Sequence, residues 1–218
     1  MKLQITIPES LADIPLWRYQ KYLKLVEANK DDANADRFLG IKMLEIFCGV
    51  PYENGVEYRV KDINEISMRI AEILQEKPDL VPRFEILDQE FGFIPNLEDM
   101  TFGEYVDLDT FISDWSQMHK TMAVLYRPIK QKMKNKYLIE EYKGDNYHEA
   151  MLHTPMDVVF GSLLFFYRLG SDLSKDMTRY LETADKETLA KWEVSAKNGG
   201  GIIASARWLK EMLRELRV

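Results

Sequence analysis

Alternating apolar and polar residues open the chain and predict a short strand over residues 2–7, which Pro8 ends. Apolar residues three and four positions apart follow, and this spacing is typical of amphipathic helices. Three such helices are predicted, over residues 15–26, 35–47 and 62–75, with Asp62 as the N-cap of the third. The three helices are expected to pack as one bundle.

The pattern changes between Pro78 and Pro95. Residues 83–87 and 91–94 are rich in aromatic and aliphatic side chains, and they flank the polar residues 88–90. Two short runs of this kind on either side of a turn predict a small β-hairpin.

Helices are expected to resume after the hairpin. Thr101 and Glu104 have the spacing of a capping box, in which the two side chains bond to the free amides of a helix start. A stripe of apolar residues at helical spacing then runs from Phe111 to Tyr126. This stripe predicts one amphipathic helix that ends before Pro128, because proline breaks the helical hydrogen-bond ladder.

The last third of the chain contains the most apolar segment. Thr154 and Pro155 are typical of a helix start, and few of residues 156–169 are polar. This helix is too short to span a bilayer, so we expect it to be buried in the core, with Gly161 at a close helix crossing. Beyond it the sequence predicts a helix over residues 185–196, a glycine hinge at 199–201 and a final helix over 202–217.

These patterns predict one mainly α domain over residues 1–218. We expect a helical bundle with a short N-terminal strand and a small β-hairpin, an extended basic arm around residues 128–146, and a C-terminal helix over 202–217 after the glycine hinge. The chain has 218 residues, of which 46% are hydrophobic, so it can bury a substantial core.

Composition excludes several functional classes. The net charge of −7 argues against a protein whose whole surface binds nucleic acid. No run of apolar residues is long enough for a membrane span or resembles a secretory signal, which predicts a soluble protein without a membrane partner. The single cysteine, Cys48, excludes a disulfide framework and a thiolate metal site.

No catalytic or cofactor motif is recognisable. The glycines at 199–201 match a dinucleotide-binding pattern in letters only, since a helix and not a strand is predicted before them. His119, His148 and His153 lack the spacing of four that places two imidazoles on one helix face. We therefore expect no enzyme activity, no catalytic residue, no metal site and no cofactor.

Charge is segregated along the middle of the chain. Residues 84–119 include nine acidic residues and no lysine or arginine, whereas residues 120–143 are predominantly basic. Lysines occupy every second position of the expected arm, so in an extended chain their ammonium groups would share one side. The candidate interface residues are Lys130, Lys132, Lys134 and Lys136 on the arm and Asp107, Asp109 and Asp114 on the acidic segment.

Three interpretations of this charge pattern remain open at the sequence level. Both segments are solvated surfaces in the first, since exposed charges often contribute nothing measurable. In the second, a chain with two complementary patches associates head to tail, and such contacts close into rings when the rotation permits. In the third, the lysines contact nucleic-acid phosphates, although few aromatic residues lie among them.

Several phrases of the sequence resemble structural proteins of tailed bacteriophages, in particular those of crAss-like and related phages that infect Bacteroidetes. The main phrase is residues 94–109, IPNLEDMTFGEYVDLD, and it is followed by residues 115–129. Shorter likenesses lie at residues 5–11, 142–144 and 155–156. The resemblance assigns no role to any single residue.

The resemblance implies a virion structural protein, a head-to-tail connector subunit that forms a ring between portal and tail. Its implied partners are further copies of itself in a closed ring, with twelve copies as in portal-associated rings, together with the portal and other tail proteins. DNA would pass only through the ring lumen. Assembly would occur in the host cytoplasm, and the protein would then lie at the head–tail junction or in the tail. The alternative is a tail assembly chaperone that is absent from the virion.

Overall fold

The computed structural model of the chain describes residues 6–32, 35–55, 58–134, 136–144 and 146–183. The helices in these ranges are α1 (Leu16–Ala28), α2 (Ala35–Cys48), α3 (Tyr52–Gly55), α4 (Val60–Leu74), α5 (Phe102–Phe111), α6 (Met118–Leu125), α7 (His148–Met151) and α8 (Met156–Thr183). The strands are β1 (Arg83–Ile86), β2 (Gln89–Phe93), β3 (Tyr126–Met133) and β4 (Lys136–Ile139).

The predicted fold class, a helical bundle with a strand and a hairpin, is wrong. The described residues form a mixed α/β structure with a four-stranded antiparallel sheet in the order β1-β2-β3-β4. The predicted β1–β2 hairpin is present, but it continues into β3 and β4. The lysines at every second position have the period of a strand, and residues 128–133 and 136–139 of the expected basic arm lie in β3 and β4.

The helices of the first half follow their predicted positions closely. α2 contacts both α1 and α4, and Ile41, Leu44 and Ile63 form a small buried cluster between α2 and α4. The N-cap of α4 is Arg59 and not Asp62, which lies in the first turn and accepts a hydrogen bond of 2.8 Å from Arg59 Nε. The carboxylate is still well placed, because the amino end of a helix favours negative charge.

A tight turn sets the register of the β1–β2 hairpin. Leu87 and Asp88 both have positive φ angles, 51° and 59°, as a two-residue turn of type I′ requires. The turn therefore lies one residue earlier than the polar residues 88–90 predict. β3 then pairs with β2, with Phe93 opposite Tyr126.

The single helix predicted over residues 111–126 is not formed. α5 ends at Phe111, and Asp114 caps a 3-10 helix by accepting a hydrogen bond of 2.8 Å from Ser116 N. α6 follows and ends at Leu125, whose carbonyl accepts a hydrogen bond of 2.9 Å from Ile94 N. The apolar spacing continues across this break. The backbone conformation is nevertheless set by the cap at Asp114 and by the pairing of β3 with β2.

The main core lies between the sheet and α8. Phe84, Phe93 and Tyr126 pack edge to face on one side of the sheet, and Phe93 also contacts Phe165 and Phe166 of α8. The first turns of α8 are buried, as predicted, with Val158, Val159 and Leu163 at most 1% exposed. The sheet and α8 form one continuous hydrophobic cluster.

Gly161 allows the backbone of residues 79–80 to approach α8 closely. A Cβ atom at this position would lie 2.4 Å from the carbonyl oxygen of Asp79, so no side chain fits. The predicted helix crossing is therefore wrong: the close approach is real, but it is made by the non-helical backbone of residues 79–80.

Several predicted elements fall on residues that the structure does not describe. Residues 6 and 7 of the predicted first strand are not in a strand, and residues 1–5 lie outside the described ranges. The predicted helix over 185–196, the glycine hinge and the C-terminal helix over 202–217 also lie outside them. No helix within the described ranges is long and apolar enough to cross a membrane.

Candidate assembly surface

The β3–β4 hairpin extends past the rest of the sheet. β2 pairs with β3 only up to Pro128, and beyond it β3 pairs with β4 alone. Met133 pairs with Lys136, so the hairpin turns in two residues, and Lys134 in this turn has a φ angle of 53°. The four lysines between residues 130 and 136 are all exposed.

Tyr137 fixes the hairpin to the rest of the sheet. Its hydroxyl donates a hydrogen bond of 2.8 Å to the carbonyl of Phe93 and lies 3.1 Å from the carbonyl oxygen of Pro82, which shares the same proton. Its ring lies over Gly92, where a Cβ atom would come within 2.5 Å of Tyr137 Cε2. The absence of a side chain at Gly92 therefore lets the hairpin pack directly on β2.

The strand register divides the lysines between the two faces of the hairpin. Lys132 shares a face with its cross-strand partner Tyr137, and its ammonium group forms an ion pair with Glu90. Lys136 shares the opposite face with Met133. The lysines therefore do not all project from one side, as an extended arm would present them.

Exposed apolar side chains accompany the lysines. Met133 and Leu138 are 49% and 51% exposed, and both lie on the same face as Lys136. We call Lys130, Met133, Lys134, Lys136 and Leu138 the hairpin tip. Within the described part of the chain, none of its three lysines has an acidic partner. The hairpin tip combines positive charge with apolar area.

A buried ion pair holds α5 against the sheet. Arg127 of β3 and Glu104 of α5 are only 8% and 3% exposed, with 2.5 Å between Arg127 Nη1 and Glu104 Oε1. The second carboxylate oxygen accepts hydrogen bonds of 2.7 Å from the backbone and hydroxyl of Thr101. The predicted capping box is thus confirmed, and the same glutamate fixes α5 to the sheet.

A cleft separates the start of α5 from β4. Its volume is about 890 Å³, and it is lined by residues between 94 and 104, by Arg127, and by Met133 and residues 136–142. Met133, Lys136 and Leu138 of the hairpin tip therefore border this cleft. At one end the hydroxyl of Tyr142 donates a hydrogen bond of 2.6 Å to Asp107. Burial, and then this bond to a carboxylate, raises the pKa of Tyr142 far above its ordinary value, so the hydroxyl remains a donor at neutral pH.

The three candidate aspartates do not form one patch. Asp107 bonds to Tyr142, and Asp114 caps the 3-10 helix, where hydrogen bonds from Ser116 and then Gln117 lower its pKa. Asp109 is exposed on α5. Asp107 and Asp114 therefore have structural partners, whereas Asp109 is exposed and has no ion-pair or hydrogen-bond partner among the residues that the structure describes.

An exposed apolar face on α5 was not predicted from the sequence. Phe102, Tyr105 and Val106 are 81%, 49% and 42% exposed, and Asp109 lies one turn further along the same face. We call these four residues the α5 stripe. Their spacing of three, four and seven is visible in the sequence, but spacing alone does not tell whether such a face meets the core or solvent.

Within the described residues, we find neither an activated nucleophile nor a grouped set of metal ligands. Burial raises the pKa of the Cys48 thiol to about 11, which keeps it protonated and weakly nucleophilic. His119 and His148 lie closer than the sequence indicates, with ring centroids 6.4 Å apart, and burial lowers the pKa of His119. Within the described ranges, no three histidine, cysteine or acidic residues are grouped to hold a metal ion.

A comparison with known proteins found no relative. No protein-family model, curated protein or solved structure matches the chain.

Proposed function

We propose that this protein is a virion structural protein of a tailed bacteriophage, a head-to-tail connector subunit that acts by assembling with copies of itself between portal and tail. The observation that carries the proposal is a pair of complementary exposed surfaces on one chain. The hairpin tip is apolar and basic, whereas the α5 stripe is apolar and ends in an acidic residue.

Two different and complementary surfaces favour head-to-tail assembly. Each copy offers one surface to the copy before it and the other to the copy after it, so the contact repeats until a ring closes. Opposite charges direct the encounter and the register, while the apolar side chains supply most of the affinity. A soluble subunit of this kind needs no catalytic group.

The phage context is supported by the resemblance of residues 94–109, which include the start of α5 and the capping box. Under this proposal the further partners are the portal and other tail proteins, and DNA passes only through the ring lumen. The protein would be assembled in the host cytoplasm and kept in the virion at the head–tail junction or in the tail.

Charge reversal of the hairpin tip tests the proposal. The variant carries glutamate at Lys130, Lys134 and Lys136, and it spares Lys132, which pairs with Glu90. Light scattering after size exclusion measures the mass of each protein over a range of concentrations. We expect the wild type to form a closed oligomer and the variant to remain monomeric at the same concentrations.

A matched control separates local contact from net charge. Lys21, Lys24 and Lys61 are exposed on α1 and α4, so their reversal to glutamate changes the net charge equally at another surface. The control should assemble as the wild type does. A monomeric wild type, or equal loss of assembly in both variants, contradicts the proposed use of the hairpin tip.

A tail assembly chaperone is the second candidate, because an exposed face such as the α5 stripe also suits binding an unassembled apolar segment. The two functions differ in stoichiometry and partner. A connector forms rings that dock onto a purified portal. A chaperone remains a monomer or dimer, keeps an aggregation-prone tail protein soluble, and is absent from purified virions.

A further inference from the structure

The α5 stripe has the properties of a docking surface. Phe102 is 81% exposed, although removing such an aromatic ring from water is favourable. Tyr105 and Val106 lie beside it on the same helical face, so the exposed area is continuous. Glu104 and Leu108 point the other way and are buried, which fixes the orientation of the helix.

We propose that the α5 stripe of one copy binds the hairpin tip of a second copy. This inference rests on the proposed function, because it assigns the two surfaces through which head-to-tail assembly would occur. The hairpin tip of the same chain does not cover the stripe, because Phe102, Tyr105 and Val106 are exposed. The cleft that Met133, Lys136 and Leu138 line does not include any residue of the stripe. The second copy therefore supplies the hairpin.

The apolar parts of the two surfaces match in chemistry. Met133 and Leu138 of the hairpin tip are about half exposed, and a flexible thioether packs well against aromatic rings such as those of Phe102 and Tyr105. Aromatic residues of this kind are the usual anchors of protein interfaces.

The charged parts match as well. Lys134 and Lys136 can approach Asp109 and the face of the Tyr105 ring, because an ammonium group is attracted to both. The chain already uses such ring contacts internally: Lys42 lies 4.7 Å from the ring centre of Tyr52, and Lys120 lies 5.0 Å from that of Phe111.

Charge also disfavours symmetric pairing of either surface with itself. Two hairpin tips face to face would bring the lysines of both copies together. Two α5 stripes face to face would bring Asp109 of one copy near Asp109 of the other. Like charges opposed across an interface are unfavourable. The mixed contact, stripe against tip, is the arrangement that pairs opposite charges.

Two surface variants test this contact. The stripe variant carries serine at Phe102 and Tyr105, and the tip variant carries serine at Met133 and glutamate at Lys136. Loss of interface anchors should weaken self-association about 30-fold or more in each. All four residues are exposed, so circular dichroism and urea denaturation should show wild-type folding. Met68→Ser removes another exposed apolar side chain, 61% exposed on α4, and should leave assembly unchanged.

Mixing the variants is the decisive measurement. Each variant alone should be monomeric, but the mixture should form a one-to-one dimer, because the stripe variant keeps its tip and the tip variant keeps its stripe. Growth should stop at the dimer, since both remaining surfaces are defective. Asp109→Lys should weaken assembly with the wild type. The Asp109→Lys chain should bind a chain that carries Lys136→Glu more tightly than it binds the wild type.

The outcomes separate this contact from the broader proposal. A wild type that assembles while both variants also assemble normally overturns the stripe–tip contact, and the connector proposal then requires assembly through other surfaces of the chain. Two monomeric variants that give no heterodimer on mixing overturn the head-to-tail pairing and favour a symmetric contact. A wild type that stays monomeric at about 100 µM overturns both, since specific interfaces bind well below this concentration.

Discussion

The buried pair between Arg127 and Glu104 yields the sharpest stability prediction. Arg127→Met removes the guanidinium but keeps an unbranched apolar chain in its place. Glu104 then retains its bonds to Thr101, but its carboxylate, 3% exposed, loses the only cation that the described residues place within ion-pair distance. Breaking one side of such a pair destabilises a protein by about 3–5 kcal/mol.

The double variant Glu104→Gln with Arg127→Met should recover most of that loss. The neutral amide no longer carries an uncompensated charge, and replacing both members of a buried pair is often neutral. Urea denaturation followed by tryptophan fluorescence measures the free energy of unfolding of each variant. The exposed pair of Arg69 and Glu72, 3.3 Å apart, is the control, and Arg69→Met should cost at most about 1 kcal/mol.

Two results would refute this reasoning. If Arg127→Met costs no more than Arg69→Met, the pair is solvated and does not hold α5 in place. If the double variant is as unstable as the single one, the loss arises from packing of the arginine chain and not from the charge it leaves behind.

Three further predictions concern the core. Gly161→Ala should destabilise the fold by about 1–3 kcal/mol in urea denaturation, because its Cβ would meet a backbone oxygen, whereas Gly103→Ala, with open space around it on α5, should be neutral or stabilising. Tyr126→Phe should cost about 1–3 kcal/mol in the same assay, since it removes the hydroxyl that donates to Val81 and contacts Ser162. Burial lowers the pKa of His119 below its ordinary 6.5, so the unfolded chain binds the proton more readily than the folded chain. The free energy of unfolding should therefore fall as the pH drops below 6.5. His119→Gln should flatten this pH dependence in thermal melts.

Local signals in the sequence predicted the helices of the first half and the capping box well, but they wrongly predicted one helix over residues 111–126. Residues 35–47 have the apolar spacing of a helix, and the pair Thr101 and Glu104 is a start signal; the structure places α2 and α5 there. The β1–β2 hairpin was predicted, but β3 and β4 were missed because β3 begins with Tyr126, which continues a helical spacing. Its strand conformation depends on pairing with Phe93, and such a contact between distant residues is not encoded in local periodicity.

The candidate site could be predicted only in part. The alternating lysines indicate an exposed basic segment, but the register places Lys132 and Lys136 on opposite faces, and this depends on the turn at Lys134. The exposure of Phe102 could not be predicted, because periodicity groups residues on one face without telling which face meets the core.

The most direct test of the central claim is the mass of the wild-type protein, measured by native mass spectrometry over a range of protein and salt concentrations. Head-to-tail assembly through opposite charges predicts one closed species of fixed copy number, larger than a dimer, whose rate of formation falls as salt increases. A monomer at every concentration, or a symmetric dimer that salt does not affect, would contradict it.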